Sequence, residues 1–339
     1  YVILRYANSL VAYKKILNFV PADSKLTFEW VDKNLLYLDR NNKYAIFNSP
    51  ITSMLDKAGE FYFNETAEPD KRHKIILWPL NSQNPNNAVI SIPLLSNAIS
   101  LGSYNYIDFD GFLIQKYNSS AFLSEVQTET VSIRNTDVRR IGGSGSAAIY
   151  VAKATVENNT LNDIRTKGIF GDGLIRNNTL TNIEGVGIGA WYYGKGYVRV
   201  LNNKLTNIVG VHSNGITYYG DLTPGTGLKG AMFDILIAGN IVLNSRTPIT
   251  LQGVNNVTVY NNVLQAGAGT GNTAIAIWKP ETNPTTNLNV INNVLISHYL
   301  PNPISIYGYA VSGFVAKNNI ESLPLGQAAG DVANNIYTA

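Results

Sequence analysis

Cysteine is absent from the chain, which excludes a disulfide scaffold and thiolate-ligated zinc. It leaves the compartment open, because bacterial secreted proteins often lack disulfides. Charge is scarce as well: charged residues make up 14% of the chain, well under the usual quarter, and the formal net charge is +3. So small and dispersed an excess argues against nucleic acid as a partner. No apolar run is long enough to span a bilayer. There is neither an initiator Met nor a signal-peptide pattern at "YVILRYANSL", so a processed form or a fragment of a longer protein is expected.

What fills the gap is Asn, Thr, Ser, Gly and Tyr, the composition of a turn-rich β protein, with 45% hydrophobic residues to build a core. The chain also repeats itself. Alternating apolar residues followed by a polar pair recur as "YIDFDGFL", "VSIRNTDV", "ATVENNTL", "GLIRNNTL", "VRVLNNKL", "ILIAGNIV", "VTVYNNVL", "LNVINNVL" and "FVAKNNIE". The second members of these pairs fall at Gly111, Thr136, Asn159, Asn178, Asn203, Asn240, Asn262, Asn293 and Asn319. Intervals that shrink to about 20 residues and otherwise carry insertions suit one rung of a solenoid. Each rung holds a second short strand, such as "KGIFGD", "VGIGAW", "NGITYY", "TPITLQ" and "TAIAIW", bounded by Gly, Asn or Pro and too short for a helix.

These features predict an all-β chain whose residues 88–325 form a right-handed parallel β-helix. A leucine-rich repeat is excluded by the missing Leu signature, and a propeller by the missing hairpin turns at blade spacing. The Asn pairs read as structural, since Asn tolerates left-handed backbone and can hydrogen-bond from rung to rung. Residues 1–87 lack the repeat and read as a separate β-rich unit, with 326–339 as a C-terminal tail.

The first 90 residues carry "VILRYANSLVAYKKI", then a "TFEW" strand, then "MLDKAGEFYFN" and "KIILWPL". In that order they resemble a barrel-like module of bacterial right-handed β-helix proteins related to glycosidases, within the pectate-lyase-like superfamily. The resemblance implies a module inserted after the first rungs of such a helix, so that rungs of a longer protein would precede this chain. It also implies glycosidase relatives. Glu60 and Tyr62 of the module read as a turn carboxylate and a barrel-core aromatic.

Equivalent residues on successive rungs of a β-helix stack about 4.8 Å apart. Aligning the second strands on Ile149, Ile169, Ile188, Ile216, Ile249, Ile275 and Ile304 sends these residues, and those two further on, inward. Ala190 then lies inside, beneath Tyr218. The residues three further on point outward: Ala152, Asp172, Trp191, Tyr219, Gln252, Trp278 and Tyr307. Such a ribbon of flat rings suits sugar rings, which stack on apolar faces while their hydroxyls hydrogen-bond alongside. The competing reading is that the rings stack on one another or lie under loops. The long insertions 220–233 and 279–287 follow the same strands and would wall a groove.

Chemistry-bearing residues cluster in the neighbouring turns. Asp172, Glu184 and Asp221 are candidate carboxylates for a glycosidase, which needs two of them about 5 Å apart or roughly 6.5–9.5 Å apart. Arg165, Lys167, Lys195, His212 and Tyr192 suit a lyase, which neutralises a uronate carboxylate and removes the adjacent proton. Arg246 and Glu281 complete the set. The expected catalytic residues are therefore Asp172, Glu184, His212 and Asp221. Substrate would be held by Arg165, Lys167, Trp191, Tyr192, Tyr219, Gln252, Trp278 and Tyr307, with no metal and no cofactor. The expected function is an extracellular or periplasmic glycoside hydrolase acting on a polysaccharide. A polysaccharide lyase is the first alternative, and a non-catalytic adhesin, fibre or tailspike-like protein the second. A homo-oligomer, or an N-terminal segment of the same protein, is the further partner considered.

Overall fold

The computed structural model describes residues 95–124, 131–142, 147–191, 197–210, 213–220, 232–267, 273–278, 284–297, 303–307 and 311–321, with short strands before and after. The chain divides into two compact units, Tyr1–Ser91 and Ile92–Ala339. In the first, Val2–Arg5 pairs antiparallel with both Val11–Lys14 and Tyr44–Ile46. Ile16–Val20 pairs with Lys25–Phe28, and Phe61–Asn64 with Lys74–Leu77. The barrel implied by the resemblance, with Glu60 in it, lies outside the described residues.

The second unit is a right-handed parallel β-helix of three sheets. One rung shows the plan: Ala154–Glu157 belongs to sheet A, Thr160–Ile164 to sheet B and Lys167–Phe170 to sheet C, after which Gly173–Arg176 returns to sheet A. Sheets A and B each hold ten strands and sheet C nine. Asp331–Ala333 and Ile336–Tyr337, within the segment expected to be a tail, pair in parallel with the last strands of sheets A and B.

The interior is built from columns. Sheet A sends in Val156, Ile175, Val200, Ile237, Val259 and Val290, and sheet B sends in Leu161, Leu180, Leu205, Val242, Leu264 and Leu295, all buried and in register. Burial of each such side chain contributes about 1.5–3 kcal/mol. Between sheets A and B the chain turns at the Asn pairs. The first member lies in the left-handed region, as at Asn158, Asn177, Asn202, Asn261, Asn292 and Asn318 (φ 53–58°). The second member is buried and forms a ladder, each Nδ2 donating to the Oδ1 of the next rung from Asn159 through Asn178, Asn203, Asn240, Asn262 and Asn293 to Asn319.

The leucine column of sheet B gives way to a charge-bearing residue, because Glu321 stands in register above Leu295 and is buried. Burial pushes its carboxyl from the ordinary 4.5 up to about 7. The native state therefore holds a proton there that the unfolded chain releases at lower pH, so stability falls as pH rises from about 4.5 to about 7. Denaturation midpoints across that range should decline in the native chain, and the Glu321→Gln variant should lose that component of the decline. A decline of the same size in the variant would place the cause elsewhere.

Candidate functional site

The outer face of sheet C is where the sequence places the aromatic ribbon. The observed register aligns Ile149, Ile169, Ile188, Ile216, Ile249, Ile275 and Ile304, rung on rung. Three residues beyond them, Trp191, Tyr219, Gln252 and Trp278 stand in register on four successive strands. Trp191 stacks on Tyr219 at 6.1 Å and 13°, and Trp278 on Tyr307 at 4.3 Å and 10°. Gln252 separates the two pairs. Trp278 is 40% exposed, while Trp191, Tyr219, Gln252 and Tyr307 are half-buried. Inside, Tyr218 is fully buried and in register above Ala190.

Two aromatics of this face are missing from the sequence reading. Tyr150 and Phe170 follow the aligned isoleucines by one residue and stack at 5.6 Å and 20°. Phe170 then meets Trp191 edge-on at 5.2 Å, across the vacant side-chain position of Gly189. The signal was present, since period-two alternation sends the first residue after an inward isoleucine outward as well. Lys167 lies on the same face, its Nζ 5.1 Å from the Phe170 ring and 4.7 Å from the Trp191 ring. Burial pushes its ammonium below the ordinary lysine range.

Polar groups on this face are left without hydrogen-bond partners. Thr217 and Thr250 are paired in register, and both hydroxyls are buried and unpartnered. The buried Nε1 of Trp191 has no partner either. A buried polar group without a partner costs about 1–3 kcal/mol. The three lie on adjacent strands of one face, beneath its surface.

Asp172 corrects the sequence reading. It is 3% exposed rather than outward, and its Oδ1 accepts the backbone N–H of Lys153 at 2.6 Å. Its own carbonyl accepts the N–H of Ala154. The side chain folds back to hold the turn from sheet C to sheet A, and burial pushes its carboxyl up. Glu184 is displaced as well. It ends the sheet B strand Thr179–Glu184 and forms an exposed ion pair with Arg165 of the rung below, Nη1 to Oε1 at 2.5 Å. Asp172 lies seven residues past Arg165, the rung partner of Glu184, so the sheet C strand Lys167–Phe170 separates the two carboxylates. Tyr192, His212 and Asp221 lie outside the described residues, as do Lys195 and Glu281.

Arg165 and Glu184 instead line a groove of about 570 Å³ at the corner between sheets B and C, with Tyr117, Arg140, Asp163 and Asn182. Among the described residues no three His, Asp or Glu side chains converge as a metal site would require. No described helix is long and apolar enough to cross a membrane.

The fold defines the class, a right-handed parallel β-helix. No known family profile matches the chain, and no curated protein matches it. Among solved structures it is similar to the A-module of the mannuronan C-5 epimerase AlgE4 of Azotobacter vinelandii. That likeness has a TM-score of 0.47 and 12% identity, over 70% of this chain and 72% of that one. It is similar also to XylC, solved in complex with xylose (TM-score 0.40, 14% identity, 64% of this chain and 38% of that one). The periplasmic alginate epimerase AlgG is a third (TM-score 0.36, 13% identity, 72% and 48%).

Proposed function

We propose that the protein is a carbohydrate-active β-helix protein that holds a polysaccharide along the outer face of sheet C and cleaves it. The observation that carries this reading is the in-register column of Trp191, Tyr219, Gln252 and Trp278, extended by Tyr307. The rings of each pair cover one another's faces, and what they leave exposed, Trp278 above all, offers apolar surface to a sugar ring with the Gln252 amide alongside.

Hydrolysis, the expected reaction, needs two carboxylates beside one glycosidic bond. Asp172 holds a turn and Glu184 an ion pair on either side of the sheet C strand, so hydrolysis would draw on a further acid, for which the sequence offers Asp221. Lys167 favours a second reaction, β-elimination on a uronate polymer. Its ammonium lies on the platform, where it would neutralise the sugar carboxylate. A base then takes the proton beside that carboxylate, the bond to the leaving oxygen breaks, the leaving oxygen is protonated, and an unsaturated uronate remains.

Incubating the chain with neutral and uronate polysaccharides separates the two, because hydrolysis gives new reducing ends alone and elimination adds unsaturated-uronate absorbance. In the same assay Trp278→Ala should bind polysaccharide about tenfold more weakly, about 1.4 kcal/mol. Binding that stays unchanged in both Trp278→Ala and Trp191→Ala would remove the face from the reading.

A further inference from the structure

We infer that the groove at the corner of sheets B and C is a second saccharide site, in which Arg140 holds the carboxylate of an acidic sugar unit. The inference takes its ligand class from the proposed function and adds a place and a charge requirement.

A second left-handed column runs up the exposed side of sheet B. It comprises Lys116, Arg140, Asp163, Asn182, Asn207 and Asn244, with φ of 64°, 53°, 56°, 56°, 62° and 55°. Pairing of the flanking residues puts the six in one register. Asn and Asp suit this backbone because their short polar side chains bond locally, whereas a long side chain there costs roughly 1–2 kcal/mol. Four members obey that rule. Asn182 donates to Asp163, Asn207 to Asn182 and Asn244 to Asn207.

Lys116 and Arg140 depart from it, and of these two long side chains only Arg140 lines the groove, with Asp163 and Asn182 above it and Tyr117 beside it.

The surrounding charges are committed. Asp163 accepts amide protons from Asn162 and Asn182, at 3.3 and 3.1 Å. Glu184 is paired with Arg165, and Arg139 with Asp137. Arg140 has no ion-pair partner among the described residues, although Asp163 stands directly above it. A guanidinium in that state matches a carboxylate in bidentate fashion. Tyr117, which packs against the core, lines the same groove and adds aromatic surface to it. A groove of about 570 Å³ suits sugar rings and far exceeds what a small inorganic anion fills.

Isothermal titration of the whole chain with trigalacturonate, xylotriose and inorganic sulfate tests the assignment. Arg140→Asn is the decisive variant, because it restores the column's own residue type and should melt no lower than the native chain. It should bind trigalacturonate at least about tenfold more weakly, with Arg140→Lys between the two and xylotriose unaffected. Trigalacturonate affinity that survives Arg140→Asn and falls in Trp278→Ala would overturn the second site and leave the sheet C reading standing. Failure of the native chain to bind any saccharide would overturn both. Sulfate that binds as tightly as trigalacturonate and competes with it would reduce the site to a plain anion site and overturn the sugar assignment.

Discussion

Asn203→Ala should lose about 3–5 kcal/mol of stability, although it removes a side chain far from any candidate site. Asn203 is 1% exposed, and its Oδ1 accepts both the backbone N–H and the Nδ2 of Asn178, at 2.9 Å each. Its Nδ2 donates to the Ile175 carbonyl and to Asn240 Oδ1, at 3.0 Å each. Truncation strands a buried backbone donor and a buried backbone acceptor where no water competes for them. Asn207→Gly is the matched control. Asn207 belongs to the exposed ladder at φ 62°, where glycine is at ease, and its loss should cost under about 1 kcal/mol. Urea midpoints give the comparison, and amide exchange at Asn178 should quicken in Asn203→Ala. Equal costs for the two variants would show that burial does not set the value of a ladder.

Gly171→Ala should be at least as damaging, about 3 kcal/mol or more, or should prevent folding. A Cβ at this position would lie 1.7 Å from the Val151 carbonyl oxygen and 2.8 Å from its carbon, so no rotamer change relieves the clash. The strand would have to part from its neighbour below, opening the Tyr150–Phe170 stack. At Gly142 a Cβ meets only the Asn118 carbonyl oxygen at 4.0 Å, and Gly142→Ala should stay within about 0.5 kcal/mol of the native chain. Soluble yield and denaturation midpoints of the two variants, measured side by side, decide the matter.

Much of the solenoid was legible because its physics is local and repeated. A buried Asn at one corner, an inward Ile on sheet C and small residues between strands recur at each turn, so one chain supplies its own alignment. The observed register of Trp191, Tyr219, Gln252 and Trp278 follows from that repetition. Asp172 escaped because alternation holds only within a strand. The sheet C strand of that rung ends at Phe170, and past it the carboxylate answers to the nearest unpaired N–H, that of Lys153. Glu184 escaped for a different reason. Sequence order places it just before a sheet C strand, yet it still lies in the sheet B strand, where its neighbour is Arg165 of the rung below. Arg140 carries no sequence signal, since its oddity is a backbone angle shared with the asparagines above it.

The direction of the two amide ladders has a consequence for assembly. In the buried ladder each amide donates toward the C-terminal end, from Asn159 up to Asn319. In the exposed ladder each donates toward the N-terminal end, from Asn244 down to the Asp163 carboxylate. The solenoid is thus a rod with two chemically distinct ends, and its parallel sheets share that polarity. Two copies meeting end to end can continue the strands and the amide chains only head to tail. Such a contact is heterologous, and it propagates unless its rotation closes a ring.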